Sequence, residues 1–195
     1  MTVTITGLIL AGGAGRRMGG LDKGWVHWQG RPLIEQVLKR LRPQVGSVLI
    51  SANRSVDAYT RLAPVVADDS ALRATDPEGF VGPLAGILAG LERCNSDWLL
   101  VVPCDLPQLP GDLAQRLLEA AVPSSRPAYA ISNDRAHPSC CLLPVSAALS
   151  TQLRSALLSG ERRLLGWLKS HQALPVNFPD PQAFLNINGP TTSCP

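Results

Sequence analysis

Residues 5–24 read Ile-Thr-Gly-Leu-Ile-Leu-Ala-Gly-Gly-Ala-Gly-Arg-Arg-Met-Gly-Gly-Leu-Asp-Lys-Gly, and the two halves of that stretch ask different things of the backbone. Val3, Ile5, Leu8, Ile9 and Leu10 form a short, nearly continuous apolar run, the pattern of a strand buried on both faces of a parallel sheet. Gly12, Gly13, Gly15, Gly19 and Gly20 then fall within nine residues. Glycine accepts positive φ and lets backbone lie close against a ligand. A turn of this kind exposes N–H donors. With Arg16, Arg17 and Lys23 beside them, those donors suit an anion carrying several oxygens, commonly a nucleoside triphosphate. Lys23 is one of three lysines against fifteen arginines. Its compact ammonium serves phosphate as a point charge, where the planar fork of arginine fits differently. A solvated loop charge is the alternative reading of Lys23.

Two familiar phosphate motifs fail here. The pattern G-x-x-x-x-G-K-[ST] breaks because Gly20 is followed by Leu21, and G-x-G-x-x-G started at Gly13 meets Met18 in place of its third glycine. What remains is Leu10-Ala11-Gly12-Gly13, then Arg17-Met18-Gly19, then Lys23. This long pattern resembles the signature loop of the nucleotidyltransferases, which join a nucleoside monophosphate to a phosphorylated acceptor. The resemblance implies backbone wrapped around base and phosphates, with Arg17 and Lys23 reaching the triphosphate.

Downstream, apolar strands alternate with amphipathic helices. A helix is predicted at about 32–42, with Ile34, Val37, Leu38 and Leu41 on one face, after a turn at Gly30-Arg31-Pro32. Strands are predicted at 45–51 and 64–67, separated by a short helix near 55–62, and the second runs into Asp68-Asp69-Ser70. Carboxylates at the carboxyl end of a buried strand lie where open α/β sheets bind ligands, although paired acids also open turns. Residues 70–81 form a polar loop long enough to act as a flap. A helix from Gly82 to about Cys94 carries glycines at 82, 86 and 90. Their cost on a helix implies that the sheet or a ligand presses on that face.

Trp98 to Val102 is apolar throughout, hence central, and ends in Pro103-Cys104-Asp105-Leu106-Pro107. An acid held between two prolines on the strand edge that Gly12 and Gly13 also leave is the best metal-ligand candidate in the chain. Magnesium, the partner of a triphosphate, takes one or two carboxylates plus phosphate oxygens and water. Cys104 reads as a reactive thiol or as a small buried hydrophobe. A helix at 111–121 follows, then a hairpin with strands 127–132 and 137–143 around the turn 133–136. His137-Pro138 in its second strand either faces an acceptor or is structural. Helices near 146–158 and 162–170 flank Gly160-Glu161-Arg162-Arg163, a solvated face or a second phosphate site. A strand at 173–177 precedes Phe184-Leu185-Asn186-Ile187-Asn188, where Asn186 and Asn188 alternate with apolar residues, so that both amides point one way.

The pattern predicts an α/β fold, a Rossmann-like, mostly parallel sheet with helices on both faces, in one domain spanning residues 1–195. Net charge is +3, with acids spread along the chain, so there is no basic stripe of the kind nucleic-acid binding needs. No apolar run approaches the roughly 18 residues of a membrane span. Met1 to Thr6 lacks the charged opening of a signal peptide, and the expectation is a cytoplasmic protein acting on small molecules. Cysteines at 94, 104, 140, 141 and 194 are odd in number without C-x-x-C spacing, which disfavours zinc sites and disulfide frameworks.

Taken together, the loop, Asn53-Arg54, Asp69-Ser70, Gly82-Pro83-Leu84-Ala85-Gly86, Pro103-Cys104-Asp105, His137-Pro138, Gly160-Glu161-Arg162-Arg163 and Asn186-Ile187-Asn188 resemble the molybdenum cofactor guanylyltransferases over nearly the full length. The resemblance implies transfer of GMP from GTP to the terminal phosphate of molybdopterin, with Mg²⁺ and release of pyrophosphate. It implies Leu10, Ala11, Gly12, Gly13, Lys23, Asp69 and Asp105 at the nucleotide, Asp105 at the metal, and Arg17, Lys23 and Asp105 in catalysis. It also implies transient contacts with other cofactor-biosynthesis proteins and recipient molybdoenzymes. Two features depart from the family. Ser51 stands where many members have Asn at a guanine contact, and the loop 70–81 is several residues longer than usual. A cytidylyltransferase on the same cofactor, a sugar-phosphate nucleotidyltransferase and a non-catalytic nucleotide-binding regulator are the alternatives.

Overall fold

The computed structural model describes residues 3–13, 22–73 and 81–187. The apolar run that opens the chain forms β1 (Ile5–Leu10), and it pairs in parallel on both sides: with β4 (Ser47–Ser51), where Leu8 faces Leu49, and with β6 (Trp98–Pro103), where Leu10 faces Pro103. β4 in turn pairs in parallel with the two-residue β5 (Val65–Val66). On the other side of β6 the direction reverses. β8 (Arg135–Pro144) runs antiparallel to β6 and to β7 (Ala128–Ser132), and β9 (Leu174–Asn177) closes the sheet parallel to β7. The order of the seven strands is β5-β4-β1-β6-β8-β7-β9.

Because successive strand residues face opposite ways, β1 sends Ile9 to one face and Leu8 to the other. The first face is covered by α1 (Leu33–Leu41), α2 (Val56–Thr60) and α5 (Leu113–Ala121). The second is covered by α3 (Ser70–Arg73), α4 (Pro83–Arg93), α6 (Ala147–Leu158) and α7 (Leu164–Ser170). Helices therefore lie on both faces of a mostly parallel sheet, as predicted.

The glycines of α4 answer to the sheet. A Cβ at Gly90 would lie 2.6 Å from Leu8 Cδ2, and one at Gly86 would lie 2.3 Å from Ser51 Oγ. Four local features differ from the sequence expectation. Ser70–Arg73 form the helix α3 where the loop 70–81 was predicted to begin, with Asp69 O accepting the Arg73 N–H at 3.0 Å. His27–Trp28 (β2) and Arg31–Pro32 (β3) form a small antiparallel pair where a simple turn was predicted, closed by Gln29 and Gly30 at φ 50° and 78°. The β7–β8 turn is two residues, not four, because Asn133 and Asp134 both take positive φ, so Arg135 and Ala136 already belong to β8. The tail after β9 is a 3-10 turn, Pro181–Phe184, capped by Asp180, which accepts from the Gln182 N–H. Leu185 beyond it is exposed, and Asn186 is not in a strand, so strand alternation does not orient its amide. Asn188, the core of the loop 70–81, Cys194 and the Arg16–Gly20 segment lie outside the described residues. No helix among the described residues is long and apolar enough to cross a membrane.

Candidate active site

A cleft opens at the carboxyl ends of β1, β4, β5 and β6, lined by Leu10, Ala11, Gly12, Gly13, Lys23, Ser51, Asp68, Gly82, Pro83, Gly86, Pro103, Cys104, Asp105 and Ser139. The strands themselves carry the chain to it. The Ala11 N–H donates to Ser51 O at 2.8 Å and the Cys104 N–H to Leu10 O at 3.1 Å, so both exits from β1 and β6 are pinned to a neighbour. Gly12 lies under Asn53, whose Nδ2 would be 3.3 Å from any Cβ placed there. Gly82, at φ 85°, turns the backbone into the amino end of α4, which forms the far wall.

Asp105 sits at the centre. It is 5% exposed, and one carboxylate oxygen, Oδ2, is ion-paired with the Lys23 ammonium. Its other oxygen, Oδ1, is buried without a hydrogen-bond partner among the described residues. An unsatisfied buried carboxylate oxygen is costly unless a ligand completes it. Among the described residues no three His, Cys, Asp or Glu side chains gather as a metal cluster. A single carboxylate with one unpaired oxygen, in a cleft also lined by Lys23 and the Gly12-Gly13 backbone, fits magnesium, which takes one or two carboxylates together with phosphate and water ligands.

The neighbouring candidates divide. Leu10, Ala11, Gly12, Gly13, Lys23 and Asp105 are brought together in the cleft, as is Ser51, whose side chain is buried against Gly86. Arg17 lies outside the described residues. Asp68, not Asp69, lines the cleft. Burial pushes the Asp68 carboxyl up, although Asn53 Nδ2 donates to its Oδ2 at 2.8 Å, and Asn53 Oδ1 accepts the Asp68 N–H at 2.9 Å. Asp69 instead accepts from Arg154 Nη1 at 2.7 Å, and Arg154 also donates to Glu92. The Arg154 guanidinium, helped by the Ala71 N–H, holds Asp69 below the usual carboxylate range.

Cys104 lines the cleft only as a buried group, and burial pushes its thiol up to about 12. His137 is engaged elsewhere: its Nε2 is 2.8 Å from Ser132 Oγ and its ring stacks on Phe184 at 4.4 Å. Burial, and then Arg135, pull its pKa down. Sequence reasoning passed over Ser139, which reaches the cleft beside a register shift between Tyr129 and Ala130 that offsets β8 against β7. The signal available in sequence is Pro138: it has no N–H for the ladder, and within a strand paired on both sides a proline belongs at a bulge. Glu161 Oε1 accepts the N–H groups of Arg162 and Arg163, and Arg162 Nη1 donates to Leu157 O near the end of α6. Arg162 Nη1 also donates to Glu161 O at 2.9 Å, so this arm of the guanidinium is engaged by backbone.

A family model described as the MobA-like NTP transferase domain matches residues 7–174. The chain is 46% identical over 191 residues to the molybdenum cofactor guanylyltransferase of Mannheimia succiniciproducens, covering 96% of each chain. It is 45% identical to that of Ralstonia nicotianae, covering 96% of this chain and 93% of the other. Among solved structures it superposes on the molybdopterin-guanine dinucleotide biosynthesis protein A of Archaeoglobus fulgidus with a TM-score of 0.69 at 24% identity, covering 95% and 93% of the two chains. A nucleotidyl transferase from Methanothermobacter thermautotroptrophicus follows the same fold with a TM-score of 0.65 at 19% identity, covering 95% and 92%.

Proposed function

The chain belongs to the MobA-like NTP transferase family, and from that premise we propose that it transfers GMP from GTP to the terminal phosphate of molybdopterin, releasing pyrophosphate. The observation that carries this reading is the pairing of Lys23 with a buried Asp105 whose second oxygen has no hydrogen-bond partner among the described residues, in a cleft also lined by Gly12 and Gly13.

The reaction is an in-line displacement at the α-phosphorus. An acceptor phosphate oxygen forms the new P–O bond as the bond from the α-phosphorus to the bridging oxygen of the β-phosphate breaks, and the electron pair leaves with pyrophosphate. The nucleophile is already an anion, so no general base is needed. The obstacle is bringing two anions together. The backbone of Leu10 to Gly13 faces the nucleotide, and Lys23 and Arg17 offset phosphate charge, while Asp69 is paired with Arg154 outside the cleft lining. Asp105 would hold Mg²⁺, which when bound supplies charge neutralisation on the phosphate oxygens. Cys104 takes no part.

The test supplies purified protein with Mg²⁺ and molybdenum cofactor, offers GTP, CTP and ATP separately, and measures pyrophosphate together with the nucleotide released from the product. Release with GTP alone is the expected result; release with CTP reassigns the base, and release with none overturns the reading. Asp105→Ala should remove about 3–4 kcal/mol of transition-state stabilisation, a fall of several hundredfold, with the fold intact by circular dichroism. Near-normal turnover in that variant contradicts the metal assignment.

A further inference from the structure

Tyr59 touches none of the cleft, yet its side chain is wholly buried at 0% exposure, and its hydroxyl donates to Asp22 Oδ1 at 2.5 Å. The same Asp22 oxygen accepts the Gly24 N–H at 3.3 Å, capping the 3-10 turn Lys23–Trp25 from which Lys23 reaches Asp105. There is no slack in this arrangement. The Trp25 ring lies 5.2 Å from that of Tyr59, and a Cβ on Gly24 would fall 2.4 Å from the Tyr59 hydroxyl oxygen. Burial, and then the bond to Asp22, push the Tyr59 hydroxyl far above its ordinary value, so it is a donor wherever the protein is folded. Five residues earlier in the chain, Arg54 Nη2 donates to Gly13 O at 2.9 Å and its Nε stands 3.9 Å from Asp22 Oδ2. One short segment, residues 54–59, thus holds both Gly13, within the glycine-rich stretch, and Asp22, just beyond its last glycine.

We propose that Tyr59 is a positioning residue for nucleotidyl transfer: through Asp22 it sets the turn that aims the Lys23 ammonium at the phosphates. The proposal rests on the reading of Lys23 given above. Removing the hydroxyl leaves Asp22 short of a donor in a place where its Oδ2 is already buried without a hydrogen bond among the described residues. Asp22 then relaxes and Lys23 shifts with it. A charge displaced by a fraction of an ångström from a developing transition state loses much of its effect.

The test is a double-mutant cycle between Tyr59→Phe and Lys23→Ala, read as kcat/KM for GTP-dependent pyrophosphate release, with thermal melts of each variant. Tyr59→Phe in the wild-type background should lose about tenfold, and in the Lys23→Ala background less than about twofold, because the group it positions is gone. Asp22→Ala, which leaves the aromatic packing alone but also removes the Gly24 cap and the Arg54 contact, should lose at least as much as Tyr59→Phe. Tyr59→Phe should add nothing on top of it, and Asp22→Ala carries the cycle should Tyr59→Phe melt early. Equal losses in both backgrounds, or none, overturn the positioning role while leaving Lys23 in place. Unchanged turnover in Lys23→Ala alone overturns the reading of Lys23, and the proposal with it.

Discussion

Asp105 and Cys104 are adjacent in sequence and both buried, yet physical chemistry gives them opposite parts. A carboxylate with an open oxygen seeks a cation. A thiol pushed up to about 12 by burial carries almost no thiolate at neutral pH and cannot act as a nucleophile. Cys104→Ala should therefore keep turnover within about threefold while costing roughly 1–2 kcal/mol of stability in urea melts, the cost of a small cavity. A hundredfold loss of turnover would make the thiol a participant. Asp105 could be picked out from sequence because a fully apolar strand runs into it and prolines hold it on both sides. The pair Asp68-Asp69 is harder: β5 is only two residues long, so the inside-outside parity that orients side chains lapses before the acids are reached. Parity cannot be carried through an irregular segment, and only the coordinates show Asp68 in the cleft and Asp69 on Arg154.

The helix α4 shows how an element can serve packing and site at once. Its glycines were readable as an obligation, since each costs about 1 kcal/mol against alanine unless something needs the space. The structure identifies two different claimants. Gly90 yields to Leu8 in the core, and Gly86 yields to Ser51 in the cleft wall. Gly90→Ala must push aside a fully buried leucine, an overpacking cost of about 1–3 kcal/mol against a gain of about 1 in helix propensity, so its melting temperature should fall while the GTP KM stays put. Gly86→Ala should instead raise the GTP KM severalfold, because the atom displaced is the Ser51 hydroxyl in the lining of the cleft proposed for the nucleotide. Kinetics and melts on the two variants separate the claims, and equal KM values would remove Ser51 from the site. Elements of two residues had no such signature. The β2–β3 pair depends on Gln29 at positive φ, a conformation that glutamine does not advertise, whereas the bulge that brings Ser139 forward has a local mark in Pro138, which becomes readable only once β8 is known to be paired on both sides.

The sheet as a whole keeps stability and chemistry at opposite edges. Parallel strands β1, β4 and β6 deliver the site residues at their carboxyl ends, while their amino ends are joined by polar staples: Thr6 Oγ1 lies 2.9 Å from Ser47 Oγ and 2.7 Å from Ser96 Oγ, and Asp97 Oδ2 accepts both the N–H and the hydroxyl of Thr4 at 2.8 Å. At about 3.3 Å per residue, the six residues of β6 span roughly 17–20 Å, with Asp97 just before the strand and Asp105 two residues beyond its end. The Thr4 N–H first, and then its hydroxyl, hold the Asp97 carboxyl below its ordinary 3.8. A carboxyl whose pKa is lowered by folding contributes stability that is present above the unfolded value and is lost as pH falls through the folded one. Asp97→Asn should therefore melt below the wild type at neutral pH by a gap that stays level down to mildly acidic conditions, narrows below 3.8 and then closes. Turnover of the variant at neutral pH should match the wild type, because the staple and the cleft are separated by the length of the strand. A melting gap that widens in acid would contradict the sign of the shift, and a loss of turnover at neutral pH would show that the amino edge of the sheet reaches the site after all.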